Sequence, residues 1–323
     1  MIAAAGRVAL RGRRVQPSAA AQVLRIGTRG SPLALKQAEL VRAALVARGF
    51  APAIELVAIR TSGDKILDRP LAEAGGKGLF AKEIEQALLE GAIDLAVHSA
   101  KDLPTVLPAG LVLAAALARE DPRDAFISRK APGLAGLAAG STLGTASLRR
   151  QALAKRLRPD LRVVVLRGNV ETRLRKIDAG EADATLLALA GLKRLGLAGA
   201  ATAILGVEEF LPAVGQGVIA IEARTDDARA RELLAGIDHA DTMTALAAER
   251  AFLAQLDGSC RTPIAGHAQV AGGALRFHGM VLKPDGSEAH ETRREGRASE
   301  AEMLGADAGR ELKRRVPPDF FRH

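Results

Sequence analysis

The 323-residue sequence contains no tryptophan, no tyrosine and only eight phenylalanines. Single-stranded nucleic acid is held largely by stacking bases on aromatic rings, so this scarcity removes the platforms such a partner needs. A single cysteine, Cys260, excludes an internal disulfide and fits a reducing compartment. Long apolar runs are missing too. The longest uncharged stretch, Ala131 to Leu148, is broken by Pro132, four glycines, two serines and two threonines, so no membrane insertion is expected. Neither a Walker loop nor a dinucleotide fingerprint occurs. Acidic residues are absent from residues 1–22, which carry +4 of the net +9; the last fourteen residues carry +3, leaving +2 for everything between. A nearly neutral body argues against a nucleic-acid partner.

At 48% hydrophobic residues, the chain is long enough for two or three cores. Residues 1–22 are rich in Ala and Arg, with one serine and no apolar core of a secretory signal; they read as a disordered extension, or as sequence upstream of the true start codon, rather than an organelle-import signal. From Val23 onward, strand-length apolar runs alternate with amphipathic helix-length segments, the pattern of a parallel sheet with crossover helices. Strands are expected over Val23–Gly27, Ile54–Ile59 and Ile93–Val97, with helices after Ser31 and over Ala81–Leu89. A second series follows: strand Thr142–Gly144, helix Leu148–Leu157, strand Arg162–Leu166, helix Val170–Ala179 and strand Ala184–Leu189. Helix Met243–Leu256, strands Ile264–Val270 and Leu275–Val281, a charged stretch and a helix near Ser299–Arg315 predict a small α+β unit. The fold class is therefore α/β, two doubly wound α/β domains plus a small C-terminal α+β domain.

Three clusters carry chemistry. His98-Ser99-Ala100-Lys101-Asp102-Leu103-Pro104 lies just past the carboxyl end of a strand, where open α/β sheets bind ligands. Alone, a Lys-Asp pair in a loop is more often a solvated turn or ion pair. Gly144-Thr145-Ala146-Ser147-Leu148-Arg149-Arg150 puts hydrogen-bonding groups and two arginines at a strand-to-helix junction, and Leu166-Arg167-Gly168-Asn169 repeats the arrangement with Arg173 one turn on. Free N–H groups, the helix dipole and bidentate guanidinium groups suit an anion with several carboxylates, or phosphate. Finally, Leu256-Asp257-Gly258-Ser259-Cys260-Arg261-Thr262-Pro263-Ile264 sets the only thiol on a punctuated loop, beside an arginine that favours the thiolate. No cysteine or histidine is spaced with it as a metal ligand.

Together with Thr28-Arg29-Gly30-Ser31-Pro32-Leu33-Ala34, Gly75-Gly76-Lys77-Gly78-Leu79-Phe80, Arg119-Glu120-Asp121-Pro122-Arg123-Asp124-Ala125 and Pro212-Ala213-Val214-Gly215-Gln216-Gly217, these segments resemble the signatures of the porphobilinogen deaminase (hydroxymethylbilane synthase) family. The resemblance runs from Arg25 to the end of the third unit. It implies one covalent dipyrromethane cofactor per chain, joined to Cys260 by a thioether. The activity it implies is stepwise condensation of four porphobilinogen molecules with loss of ammonia, followed by hydrolysis to hydroxymethylbilane. Asp102 then stabilises positive charge on pyrrole nitrogen and moves protons. Lys101, Asp102, Ser147, Arg149 and Arg150 correspond to cofactor-binding residues, Arg29, Ser31, Arg167, Arg173, Arg194 and Gln216 to substrate-binding ones, and Lys77 with Phe80 to a mobile lid. The resemblance further implies a cytoplasmic monomer with hand-over of product to uroporphyrinogen-III synthase. Partly on its strength, residues 218–237 return to a first domain of residues 23–117, residues 118–217 form a second and residues 238–323 a third. Ser259 and Arg261 depart from the family pattern, in which smaller residues are usual.

Two other readings use the same arginines. Paired α/β domains are also periplasmic-binding-protein-like, which suggests a non-catalytic carboxylate-binding protein, but no signal segment is present and Cys260 then has no task. An enzyme of phosphorylated substrates leaves both Asp102 and Cys260 idle.

Overall fold

The computed structural model describes residues 23–50, 53–65, 78–256, 262–317 and 320. Expectations that fall on residues 1–22, Lys77, Ser259, Cys260 and Arg261 lie outside these. The first sheet begins with β1 (Leu24–Arg29), α1 (Pro32–Ala47) and β2 (Ile54–Ile59), then the short α2 (Ser62–Lys65), α3 (Lys82–Leu89), β3 (Leu95–Ser99) and β4 (Leu111–Ala116). The chain then passes to a second sheet through β5 (Asp124–Ser128), β6 (Thr142–Gly144), α4 (Leu148–Leu157), β7 (Arg162–Val164), α5 (Val170–Asp178), β8 (Ala184–Ala188), α6 (Leu189–Arg194) and β9 (Ala203–Ile204). It comes back through β10 (Ile219–Arg224) and α7 (Ala228–Ala235). A last unit holds α8 (Ala240–Gln255), β11 (Ile264–Ala271), β12 (Ala274–Leu282), β13 (Ala289–Arg297) and α9 (Ala301–Arg315).

Strand order is β2-β1-β3-β10-β4 in the first sheet and β7-β6-β8-β5-β9 in the second. Neither sheet is purely parallel, contrary to the pattern read from the sequence: β10 runs antiparallel to β3 and β4, and β5 antiparallel to β8 and β9. Both odd strands are the first that the chain lays down after crossing between sheets, so each enters from the opposite end. Strand β3 begins two residues later than its apolar run suggests, because the Asp94 carboxylate is tied to the backbone N–H and guanidinium of Arg25. That shift draws His98 and Ser99 into the strand.

Apolar packing fixes these layers. Ile26, Val41, Leu45, Leu95, Val97, Ile219 and Ile221 form one core beneath the first sheet. Phe126, Leu143, Leu153, Leu186 and Phe210 form another beneath the second, completed by Met280 and Leu282 of β12. In the last unit, Phe252 of α8 meets Phe277 of β12 with ring centroids 4.9 Å apart. Gly305 and Gly309 let α9 approach α8 closely, since a Cβ at Gly305 would lie 2.0 Å from the Ala248 carbonyl oxygen. The stretch read as merely charged is β13, the outer strand of an antiparallel sheet of order β11-β12-β13.

Candidate active site

One cleft of about 580 Å³ gathers most of the residues singled out from the sequence. Its wall is made by the carboxyl ends of β1, β3 and β8 and the amino ends of α1 and α5. Short side chains cap three neighbouring helices. Ser31 accepts from the Ala34 N–H, Ser147 from the Arg150 N–H and Asn169 from the Thr172 N–H. Helix amino ends facing a cleft favour negative charge there.

Side-chain charge points the same way. Arg29, Arg60, Lys101, Arg150, Arg167 and Arg173 line the cleft against only two carboxylates, Asp64 and Asp102. Asp64 is already engaged with the Arg29 guanidinium and the Thr61 hydroxyl; burial pushes its carboxyl up, but these hydrogen bonds outweigh burial and hold it below the usual range. Arg29 also sits over the Phe80 ring, with Cζ 4.2 Å from the ring centroid, a cation–π contact. Asp102 is exposed to the cleft at the end of the helical turn Ala100–Asp102. Burial draws the neighbouring Lys101 ammonium down to about 8, against the pull of Asp102 and with the push of Arg150. Arg173 falls to about 10, first through burial and then through Arg150 and Arg167. Packed cations that depress one another are a site built for anions.

Four predicted residues stand outside the cleft wall, and their contacts show why. Arg149 is buried, with Nη1 on the Leu211 carbonyl oxygen and Nη2 on Asp124. Gln216 donates to the Pro122 carbonyl oxygen and to Asp124. Arg194 donates to the Gly217 carbonyl oxygen, and Ser147 is spent on its helix cap. Sequence reasoning missed Asp124 as the carboxylate that holds Arg149 and Arg150, and Asp64 as the one that holds Arg29. Asp124 stood inside a quoted motif, but nothing in its spacing announced that two guanidinium groups converge on it.

Residues 24–232 match the family described as "Porphobilinogen deaminase, dipyromethane cofactor binding domain", and residues 243–314 match "Porphobilinogen deaminase, C-terminal domain". The chain belongs to the porphobilinogen deaminase family. Relatives in that family include the porphobilinogen deaminases of Nitrobacter hamburgensis, 62% identical over 298 residues, and Nitrobacter winogradskyi, 62% identical over 299; each alignment covers 92% of this chain and 94% of the relative. Among solved structures, a periplasmic substrate-binding protein of an ABC transporter from Coxiella burnetii overlays with TM-score 0.43 and 14% identity, covering 71% of this chain and 97% of that one.

A porphobilinogen deaminase family cofactor with two carboxylates per pyrrole fits the residues present. The wall carries six cations, and of its two carboxylates Asp64 is engaged by Arg29 while Asp102 is exposed. No group of three or more potential metal-binding side chains occurs among the described residues, and no helix there is long and apolar enough to cross a membrane.

Proposed function

We propose that this chain is a hydroxymethylbilane synthase, a transferase that joins four porphobilinogen molecules head to tail with loss of ammonia and then releases the linear tetrapyrrole by hydrolysis. The observation that carries the reading is one exposed carboxylate, Asp102, in a cleft whose wall also carries five guanidinium groups and one ammonium, its other carboxylate, Asp64, being engaged by Arg29. Bound dipyrromethane, held through Cys260, supplies the free α-carbon to which each substrate is joined.

The side chains divide the work. Arg29, Lys101, Arg150, Arg167 and Arg173 take the acetate and propionate groups by charge-assisted hydrogen bonds, assisted by Ser31 at a helix amino end. Arg149, Ser147, Gln216 and Arg194 support them: the first three hold Asp124, α4 and Arg150 in place, and Arg194 braces the Gly217 backbone. Asp102 faces the pyrrole nitrogens, where positive charge develops as ammonia departs; a fixed carboxylate in a partly dry cleft stabilises that charge. Lys77 and Phe80 close over the site as a lid, with Arg29 over the Phe80 ring. Units of residues 23–117 with 218–237, 118–217 and 238–323 move as the product lengthens. The enzyme works as a cytoplasmic monomer and hands its unstable product to uroporphyrinogen-III synthase.

Incubation with porphobilinogen tests the reading. Substrate disappears with one ammonia released per molecule, and hydroxymethylbilane accumulates. Asp102→Asn keeps its primer yet turns over on the order of 10²-fold or more slower, the scale of losing one oriented charge-stabilising group. Near-normal turnover by that variant removes Asp102 from its role, and no consumption by the parent protein removes the activity.

A further inference from the structure

At the cleft wall and behind it lie three buried titratable side chains for which the reading above has no use. His98 of β3 lines the cleft. Glu222 of β10 is its diagonal neighbour in the antiparallel ladder, where Ala220 faces His98 and Glu222 faces Ala96. Glu85 of α3 completes the group. Glu222 has no exposed surface, and His98 and Glu85 keep only 6% and 5%. His98 Nε2 stands 3.3 Å from Glu222 Oε2, without the alignment of a hydrogen bond. Neither Glu222 oxygen, nor Glu85 Oε1, has a hydrogen-bond partner among the described residues.

Buried carboxylates left without hydrogen bonds destabilise a fold, and apolar side chains would serve packing better. The surroundings provide little other charge. Strand β4 presents Leu113 opposite Glu222. From α8, Arg250 feels Glu222 but donates to the Pro104 and Thr105 carbonyl oxygens, and Arg224, farther along β10, is turned to Asp94 and Asp227.

We propose that His98 is a proton acceptor of the cleft, with Glu222 and Glu85 as positioning residues that stabilise its imidazolium, so that Asp102 stays ionised through every round. The proposal rests on the deaminase reading. In each condensation the substrate's ammonium leaves as ammonia with the electron pair of its C–N bond, and the α-carbon of the bound chain supplies the pair for the new C–C bond. That carbon's hydrogen departs as a proton. Were Asp102 to keep it, the charge facing the pyrrole nitrogens would be lost for the next round; the His98 imidazole takes it and returns it to ammonia or solvent. Burial, and then Glu222, push Glu85 up to about 7 against the pull of His98.

The test uses full-length protein. Nuclear magnetic resonance of labelled imidazoles follows His98 in the parent, in E222Q and in E85Q. Loss of the adjacent carboxylate moves the measured His98 titration to lower pH in E222Q, and less in E85Q. Because the neutral imidazole is the active form, the acid limb of kcat moves to lower pH by the same amount in E222Q. H98Q keeps the primer mass and its KM, loses that limb, and turns over on the order of 10²-fold slower. A His98 titration unmoved in both Glu variants overturns the proposal, as does H98Q with the parent's kcat and pH profile. The titration decides the matter if H98Q does not fold. Failure of the deaminase reading looks different: the parent itself then carries no primer and consumes no porphobilinogen.

Discussion

Arg150 Nη2 donates to Asp124 Oδ1 at 2.7 Å, and the other oxygen of that fully buried carboxylate takes Arg149 Nη2 at the same distance. One acid thus aims a cleft arginine and anchors its buried neighbour. Asp124→Asn leaves two buried guanidinium groups under-compensated and destabilises the protein by roughly 3–5 kcal/mol, the scale for breaking a buried pair from one side. Denaturant unfolding measures the loss; a change below about 1 kcal/mol contradicts it.

Acid sensitivity follows from the same carboxylate. Burial pushes Asp124 up, but Arg149 and Arg150 outweigh it and hold the group at about 2, well below the usual carboxylate range. A folded-state pKa that is depressed adds stability above the unfolded value, and that stability is lost as pH falls from about 4 toward 2. Thermal unfolding between pH 5 and 2 shows the parent losing stability through this window and Asp124→Asn losing less.

Arg173 lines the cleft with its Nε on the Gly168 carbonyl oxygen, which leaves the rest of the guanidinium for a carboxylate. Arg173→Gln removes a charge-assisted hydrogen bond worth about 1.5–3 kcal/mol. Steady-state kinetics shows kcat/KM falling roughly 10- to 100-fold, with elongation intermediates accumulating in intact mass spectra.

A cation-lined cleft attracts its carboxylated substrate over distance, and salt screens that attraction. KM for porphobilinogen rises steadily between about 20 and 300 mM monovalent salt while kcat changes little. A flat KM contradicts the electrostatic account of binding.

Gly217 stands on the return from the second sheet to the first, at φ +89°, with Glu120 O only 2.2 Å from where a Cβ would be. Its carbonyl accepts from Arg194 and from the Glu120 N–H. Gly217→Ala costs on the order of 1–3 kcal/mol from the φ alone, with further loss from the clash. Chemical unfolding checks it.

Much of this was legible before the fold was known. Apolar runs such as Ile54–Ile59 and caps such as Ser31 act locally, so spacing alone located β2 and the start of α1. Strand direction was not legible, because β5 and β10 are reversed by where the chain crosses, which no local pattern records. Charged β13 escaped notice since its alternation of Glu and Arg looks like a solvated loop until β12 pairs with it. At the site, motif residues Arg29, Lys101, Asp102, Arg150, Arg167 and Arg173 do meet at one cleft. Arg149, Arg194 and Gln216 were indistinguishable from them in sequence, and only their carboxylate and carbonyl partners separate support from wall.

Intact mass spectrometry of the full-length protein, made in cells that supply porphobilinogen, tests the central claim most directly. The account predicts a mass exceeding that of the amino acids by one dipyrromethane, with the excess lost in Cys260→Ala and kept in Asp102→Asn. A parent protein that weighs only its polypeptide, or a Cys260→Ala protein that retains the excess, contradicts it.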